Sequence, residues 1–325
     1  MIFLHEIPHH DARALLESGA PVYLGFNPIE YHGPHLPLAC DRLIGDGILR
    51  LFTERMAARF PEWPVLVARS IDVGVEPTSG FGSAKPGYRD VRRVVRESCR
   101  ALMELGAKRI VLHTFHGSGL HNLALESGVR LVREEGGQAL APFHAVLNEM
   151  MDLDAERYAP AFAHIEDPDE RAAMIAGLHM DFHAGFFETS LAMRFAADAV
   201  HARHVELAPC PRFERDGALA FLSSLTDALG HRKAAAEMSF AADARGWYAL
   251  RPFPGYTGRP HHARAESGAF FAEKIVERYE EAAALVFERD QDPPPAVMQW
   301  LAPMTGWGSL EATRVDVRHI THDFG

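Results

Sequence analysis

Cysteine is scarce in this 325-residue chain: there are three, Cys40, Cys99 and Cys210, far apart and odd in number. That excludes a disulfide framework and a CxxC zinc site, so sulfur is not expected to carry the chemistry. Positive charge is also short. With 33 Lys and Arg against 44 Asp and Glu, the formal net charge is −11, which repels phosphate backbones and anionic membrane surfaces. Nucleic acid and membrane are therefore poor partners. No stretch approaches the ~18 apolar residues of a membrane span. The opening MIFLHEIPHH has neither the basic flank nor the apolar run of a secretory leader, so a cytoplasmic location is expected. A composition of 47% hydrophobic and 24% charged residues excludes disorder and fibre and suits a folded chain with a sizeable core.

What is abundant is histidine, with 19 residues, the side chain most used as a metal ligand and as an acid or base near neutrality. Its placement follows a repeating pattern. Short β-type runs at Val22–Phe26, Val65–Ala68 and Ile110–His113 each lead through a loop rich in Gly, Pro or His into a helical stretch, at Arg42–Phe60, Arg89–Leu105 and Leu123–Glu134. A fourth run, Ala139–Leu147, precedes another helix. Repeated βα units predict an α/β fold, a mostly parallel sheet between helix layers, with ligands bound in loops beyond the carboxyl ends of strands. Alanine-rich stretches at Ala218–Arg245 and Ala263–Phe287 read as covering helices. The prolines of Asp290–Ala296 break regular structure. Two parts are expected, a main domain over 1–288 and a proline-linked tail over 289–325. The tail's Trp300, Trp307 and Phe324 are anchor-type residues, which suit docking on a neighbouring subunit or on the chain itself.

Three loops concentrate chemistry. In the first, Glu30 and His32 are two apart, so in extended backbone they leave on the same side and can share an ion, while Asp41 lies where the chain turns into a helix. The plainer reading of Asp41 is a helix cap. In the second, His116 follows a strand end, beside Gly117-Ser118-Gly119. Those glycines suggest a phosphate loop, yet Asn122 stands where a dinucleotide fingerprint needs a third glycine. The third, His179-Met-Asp-Phe-His-Ala-Gly-Phe-Phe-Glu-Thr-Ser190, places His183 and Glu188 around a small-residue turn. Mixed carboxylate and imidazole ligands suit zinc, manganese or ferrous iron, and three carboxylates are enough to bridge two ions.

Glu30-Tyr-His32-Gly-Pro-His-Leu-Pro-Leu-x-x-Asp41 resembles the signature of the creatininase (creatinine amidohydrolase) family, and Asp181-x-His183-Ala-Gly-x-x-Glu188-Thr-Ser resembles its second signature. Gly255-Tyr-Thr-Gly-Arg-Pro260 is a fainter echo of a family turn. The resemblance implies a creatininase-like three-layer fold, two divalent metal ions and often a hexamer. It makes Glu30, His32, Asp41 and His116 ligands with Asp41 as the bridge, and Glu188 the completion of the second ion. It makes His183 the acid or base, and puts Ser118, Asp181 and Gly185 at a small-molecule substrate. Family members commonly carry Asn-Gly-His-Gly-Gly-Asn around the fourth ligand, and true creatininases place a ligand Glu two residues after that His. Here the text is Thr114-Phe-His116-Gly-Ser118-Gly, which points away from creatinine itself. The expected activity is opening of a small cyclic amide or related polar ring, or removal of a formyl group. The rivals are a catalytically silent metal-binding assembly protein and a nucleotide-dependent oxidoreductase using Gly117 and Gly119.

Overall fold

The computed structural model describes residues 1–310, 315–321 and 324. Five parallel strands form one sheet in the order β1-β3-β2-β4-β5. They are β1 (Ile2–Phe3), β2 (Val22–Gly25), β3 (Leu66–Val67), β4 (Arg109–His113) and β5 (Gln138–Leu140). Alternate side chains of each strand serve opposite faces, as the pleat requires. Val22, Leu24, Leu66, Ile110, Leu112 and Ala139 enter one apolar core, and Tyr23, Val67, Val111 and Leu140 enter the other. Both faces are thus covered by helices, which is why these strands read as continuous apolar runs.

The first core is closed by α1 (His9–Leu16), α3 (Tyr88–Leu105) and α4 (Gly119–Glu134), the second by α2 (Cys40–Arg59), α5 (Phe143–Met150), α7 (Phe186–Phe195) and α10 (Ala265–Phe287). Helix α3 shows the sequence logic. Val91, Val95, Cys99 and Leu102 recur at helical spacing and are buried, and Gly106 ends the helix at φ 121°, a left-handed value that suits glycine. The remaining helices are α6 (Pro168–Ala176), which adds Met174 and Ile175 to the second core, α11 (Leu301–Met304), which adds Ala302 to the first, and α8 (Gly217–Ala228) and α9 (Arg232–Tyr248).

Two expectations need correction. The run Ala139–Leu147 is not one strand, because Pro142 caps α5 and β5 ends at Leu140. The stretch Ala218–Arg245 is not one covering helix. It is the hairpin of α8 and α9, broken at Gly230 with φ 85°, and α8 buries none of its residues. The described part of the tail lies against its own chain: Ala296, Val297 and Met298 are buried, and Trp300 Nε1 donates to Glu237 Oε2 at 3.0 Å. Further along, Ile320 bridges to Phe253, Tyr31 donates its hydroxyl to the Thr321 carbonyl, and the Phe324 ring lies 4.6 Å from that of His201. Residues 311–314, 322–323 and 325 of that tail lie outside the described residues.

Candidate metal centre

The pairing of β2 with β4, Gly25 opposite His113, makes the loops after these two central strands leave side by side at their carboxyl ends. One loop carries Glu30 and His32 and the other His116. Asp41 enters from the first turn of α2 and Glu188 from the first turn of α7. All five side chains are buried: Glu30 and His32 have no exposed surface, and Glu188, the most open, is 7% exposed.

They form two overlapping groups, Glu30 with Asp41 and His116, and His32 with Asp41 and Glu188. In the first, His116 Nδ1 is 2.8 Å from Glu30 Oε1 and 3.4 Å from Asp41 Oδ2. In the second, His32 Nε2 is 3.2 Å from Asp41 Oδ1 and 3.9 Å from Glu188 Oε2. Atoms ~2.1 Å from a common ion stand roughly 3.0–3.4 Å apart in octahedral or tetrahedral arrangement; the two spacings to Asp41 match this, while His116 to Glu30 is tighter and His32 to Glu188 looser. Asp41 turns one oxygen to each imidazole. It is not a helix cap: Ala39 occupies the cap position of α2 and makes no side-chain cap bond.

The tautomers follow from the outer partners. A carbonyl can only accept, so His116 Nε2 donates to the Val75 carbonyl at 2.9 Å and His32 Nδ1 to the Glu30 carbonyl at 3.1 Å. Their remaining nitrogens face carboxylates, an arrangement that needs a proton on each imidazole or a cation in its place, and Glu30 Oε1 and Asp41 Oδ2 lack a properly directed hydrogen bond. Buried carboxylates clustered in this way need positive charge, which two protonated imidazoles or bound cations can supply. The donor set fits a divalent ion in each group.

Burial opposes charge on His32, yet Asp41, Glu30 and Glu188 outweigh it and bring the imidazole up to about 10. His116 is raised for the same reason, against its burial, by Glu30 and Asp41. Burial pushes Glu188 up to about 8. His183 goes the other way. Burial, then the neighbouring His32, hold it down to about 4; its Nε2 donates to the Tyr31 carbonyl at 2.9 Å, and its ring stacks on His32 at 4.5 Å.

The other expected residues lie nearby in different capacities. Asp181 accepts the backbone N–H groups of Phe186 and Phe187, tying down the start of α7. Gly185 faces that carboxylate, and a Cβ there would stand 2.3 Å from Asp181 Oδ1, so it answers a packing need. Ser118 is the N-cap of α4 and donates to Glu76 Oε2 at 2.8 Å. Gly119 offers no phosphate cradle, because Leu301 and Met298 of the tail fill its Cβ direction.

Sequence reasoning missed the segment Val75-Glu76-Pro77-Thr78 after β3, whose Val75 carbonyl holds His116 and whose Thr78 N–H donates to Glu30 Oε2. It also missed Trp247 and Tyr248 at the end of α9. Trp247 lies 5.4 Å from the His183 ring and the Tyr248 hydroxyl 3.3 Å from Thr78 Oγ1. The available signal was an acid before proline in a Gly-bounded loop at a strand's carboxyl end. A third group, Glu30 with His32 and His183, overlaps these two and brings the His183 imidazole to the same cluster, while a fourth, Glu170 with His261 and His262, differs in kind, since Arg259 already pairs with the same Glu170 oxygen and competes with any metal. A cavity of about 1060 Å³ is bordered by Asp181, Arg215, Asp243 and Arg259 and by none of the five clustered ligands.

A sheet covered on both faces, with buried carboxylates and imidazoles converging at its carboxyl edge, defines the class of a metal-dependent α/β hydrolase. The family model for creatininase (creatinine amidohydrolase) matches residues 5–283, and the chain belongs to that family of metal-dependent amidohydrolases. Solved structures agree in fold. A crystal structure of creatinine amidohydrolase is 19% identical with TM-score 0.57, covering 87% of this chain and 96% of its own. A manganese creatininase is 19% identical with TM-score 0.56, covering 87% and 97%. A putative creatinine amidohydrolase from Bacteroides fragilis is 18% identical with TM-score 0.53, covering 80% and 88%. A search of curated protein sequences gave no match.

Proposed function

We propose that this chain is a two-metal amidohydrolase that opens a small cyclic amide or related polar ring, or removes a formyl group from an amine. The observation that carries the reading is Asp41, whose two oxygens face His32 and His116 separately, the arrangement of a bridging carboxylate. Glu30 and His116 would hold one ion, His32 and Glu188 the other. Solved relatives in zinc and manganese forms support those metals. Two such ions polarise a carbonyl and lower the pKa of water from ~15.7 toward ~7.

The protein's own groups do the rest. His183, its Nε2 occupied by the Tyr31 carbonyl, keeps Nδ1 for proton transfer. Held down to about 4, it enters turnover neutral, so it first takes a proton and then returns it to the leaving nitrogen. Trp247 fixes the plane of that imidazole, and Asp181 fixes the start of the helix bearing Glu188. Ser118 reaches the site through Glu76 rather than by facing substrate. The reading includes a homo-oligomer, supported by Phe221 and Leu225 on α8 and Leu229 just after it standing exposed.

Metal-reconstituted protein should turn over at least one member of a panel of lactams, formamides and cyclic keto-polyols, and Glu188→Gln should abolish that turnover with the fold intact. No turnover across the panel, or full activity in Glu188→Gln, contradicts the proposal.

A further inference from the structure

Glu76 is a half-buried carboxylate beside the centre that neither metal group includes. Its φ is 54°, left-handed backbone that a side-chain-bearing residue adopts at a cost, and it precedes Pro77, which itself disfavours helical backbone. Such strain persists where the surroundings hold it, and it clusters at functional positions. Its neighbours on both sides hold ligands of one group: the Val75 carbonyl takes the proton of His116 Nε2, and the Thr78 N–H donates to Glu30. The intervening side chain accepts from Ser118 and from the Leu120 amide at the start of α4, and lies close enough to His116 for their charges to interact.

Charge adds a second argument. Glu30, Asp41 and Glu188 bring three negative charges to a buried site where two divalent ions bring four positive ones. A further carboxylate would meet net positive charge there, which offsets the burial that pushes Glu76 up.

We propose that Glu76 is a further carboxylate of the metal centre, serving the ion held by Glu30, Asp41 and His116, with Ser118 as the positioning residue that aims it. This rests on the two-metal reading. The plainer role, an acid capping α4, leaves metal binding untouched.

The test is full-length protein loaded with Zn²⁺, dialysed, and measured for metal per chain by elemental analysis and for affinity by competition with a chelating dye. Glu76→Gln keeps the shape and the acceptor oxygen toward Leu120. It should retain one ion firmly and bind the other at least roughly tenfold more weakly, with an unchanged circular dichroism spectrum. Because the side chains of Glu76 and Ser118 touch, the double change Glu76→Gln with Ser118→Glu returns a carboxylate to the same place and should restore the second ion. Two firmly held ions in Glu76→Gln overturn the proposal, as does a folded double variant that restores nothing. Wild-type protein that never holds two ions overturns the two-metal reading itself.

Discussion

Asp41 is the residue on which both halves of the centre depend, since each oxygen faces a different imidazole. Asp41→Ala should lower occupancy of both ions together, read by elemental analysis, whereas Glu188→Gln should lower one. His32 and His116 hold protons strongly when only carboxylates surround them. Metal uptake at pH 7 should therefore release protons, measurable as a buffer-dependent heat, and activity should fall toward acid as protons displace the ions. His113 makes a separate statement about stability. Burial lowers it to about 4 from 6.5, so below pH 6.5 the unfolded chain binds a proton that the folded chain refuses. Its share of stability is present above pH 6.5 and is lost as pH falls toward 4. In urea unfolding, His113→Gln should lose stability less steeply than wild type over that window, and parallel slopes would refute this.

At the scale of elements, the helix pair α7 and α10 sets the position of Glu188. A Cβ on Gly268 would stand 2.0 Å from the Ser190 carbonyl oxygen, a backbone atom that cannot swing aside. Gly268→Ala should push α7 outward, cost on the order of 1–3 kcal/mol, and weaken the ion of His32 and Glu188 more than that of Glu30 and His116. Equal metal affinities in the folded variant would rule this out. How much could be read beforehand varied with the physics involved. The βα repeats and the loops of Glu30, His32 and His116 were legible, because apolar runs and Gly/Pro punctuation are local. That Asp41 reaches His116 follows from the pairing of β2 with β4, which local sequence does not state. The partnership of Glu76 with Ser118, 42 positions apart, was illegible for the same reason. Ser118, Asp181 and Gly185 sat in motif text and so were expected at substrate; in the structure Ser118 caps α4 and donates to Glu76, Asp181 accepts from the start of α7, and Gly185 packs against Asp181. Alanine-rich composition identified α8 as helix but carried no information about which face was covered.

For the molecule as a whole, the net charge is −11 and, among the described residues, no helix is long and apolar enough to cross a membrane. The tail belongs to this scale. Removing everything after Glu288 deletes the buried Ala296, Val297, Met298 and Ala302 and the bridge to Phe253. Thermal unfolding should move to lower temperature, and the Michaelis constant of whatever substrate the panel yields should rise. An unchanged melting point with unchanged kinetics would mean the tail is ornament. The contact of Tyr31 with Thr321 joins positions 290 apart in sequence, and Tyr31 precedes the ligand His32. During synthesis, the loop bearing the first ligands emerges early and must wait for nearly all the chain before its outer wall arrives. At about 5–20 residues added per second, that is an interval of many seconds in which a half-built, carboxylate-rich cluster stands open to whichever cation the cell supplies. Which metal the finished protein carries can thus depend on what was present while it was still being made.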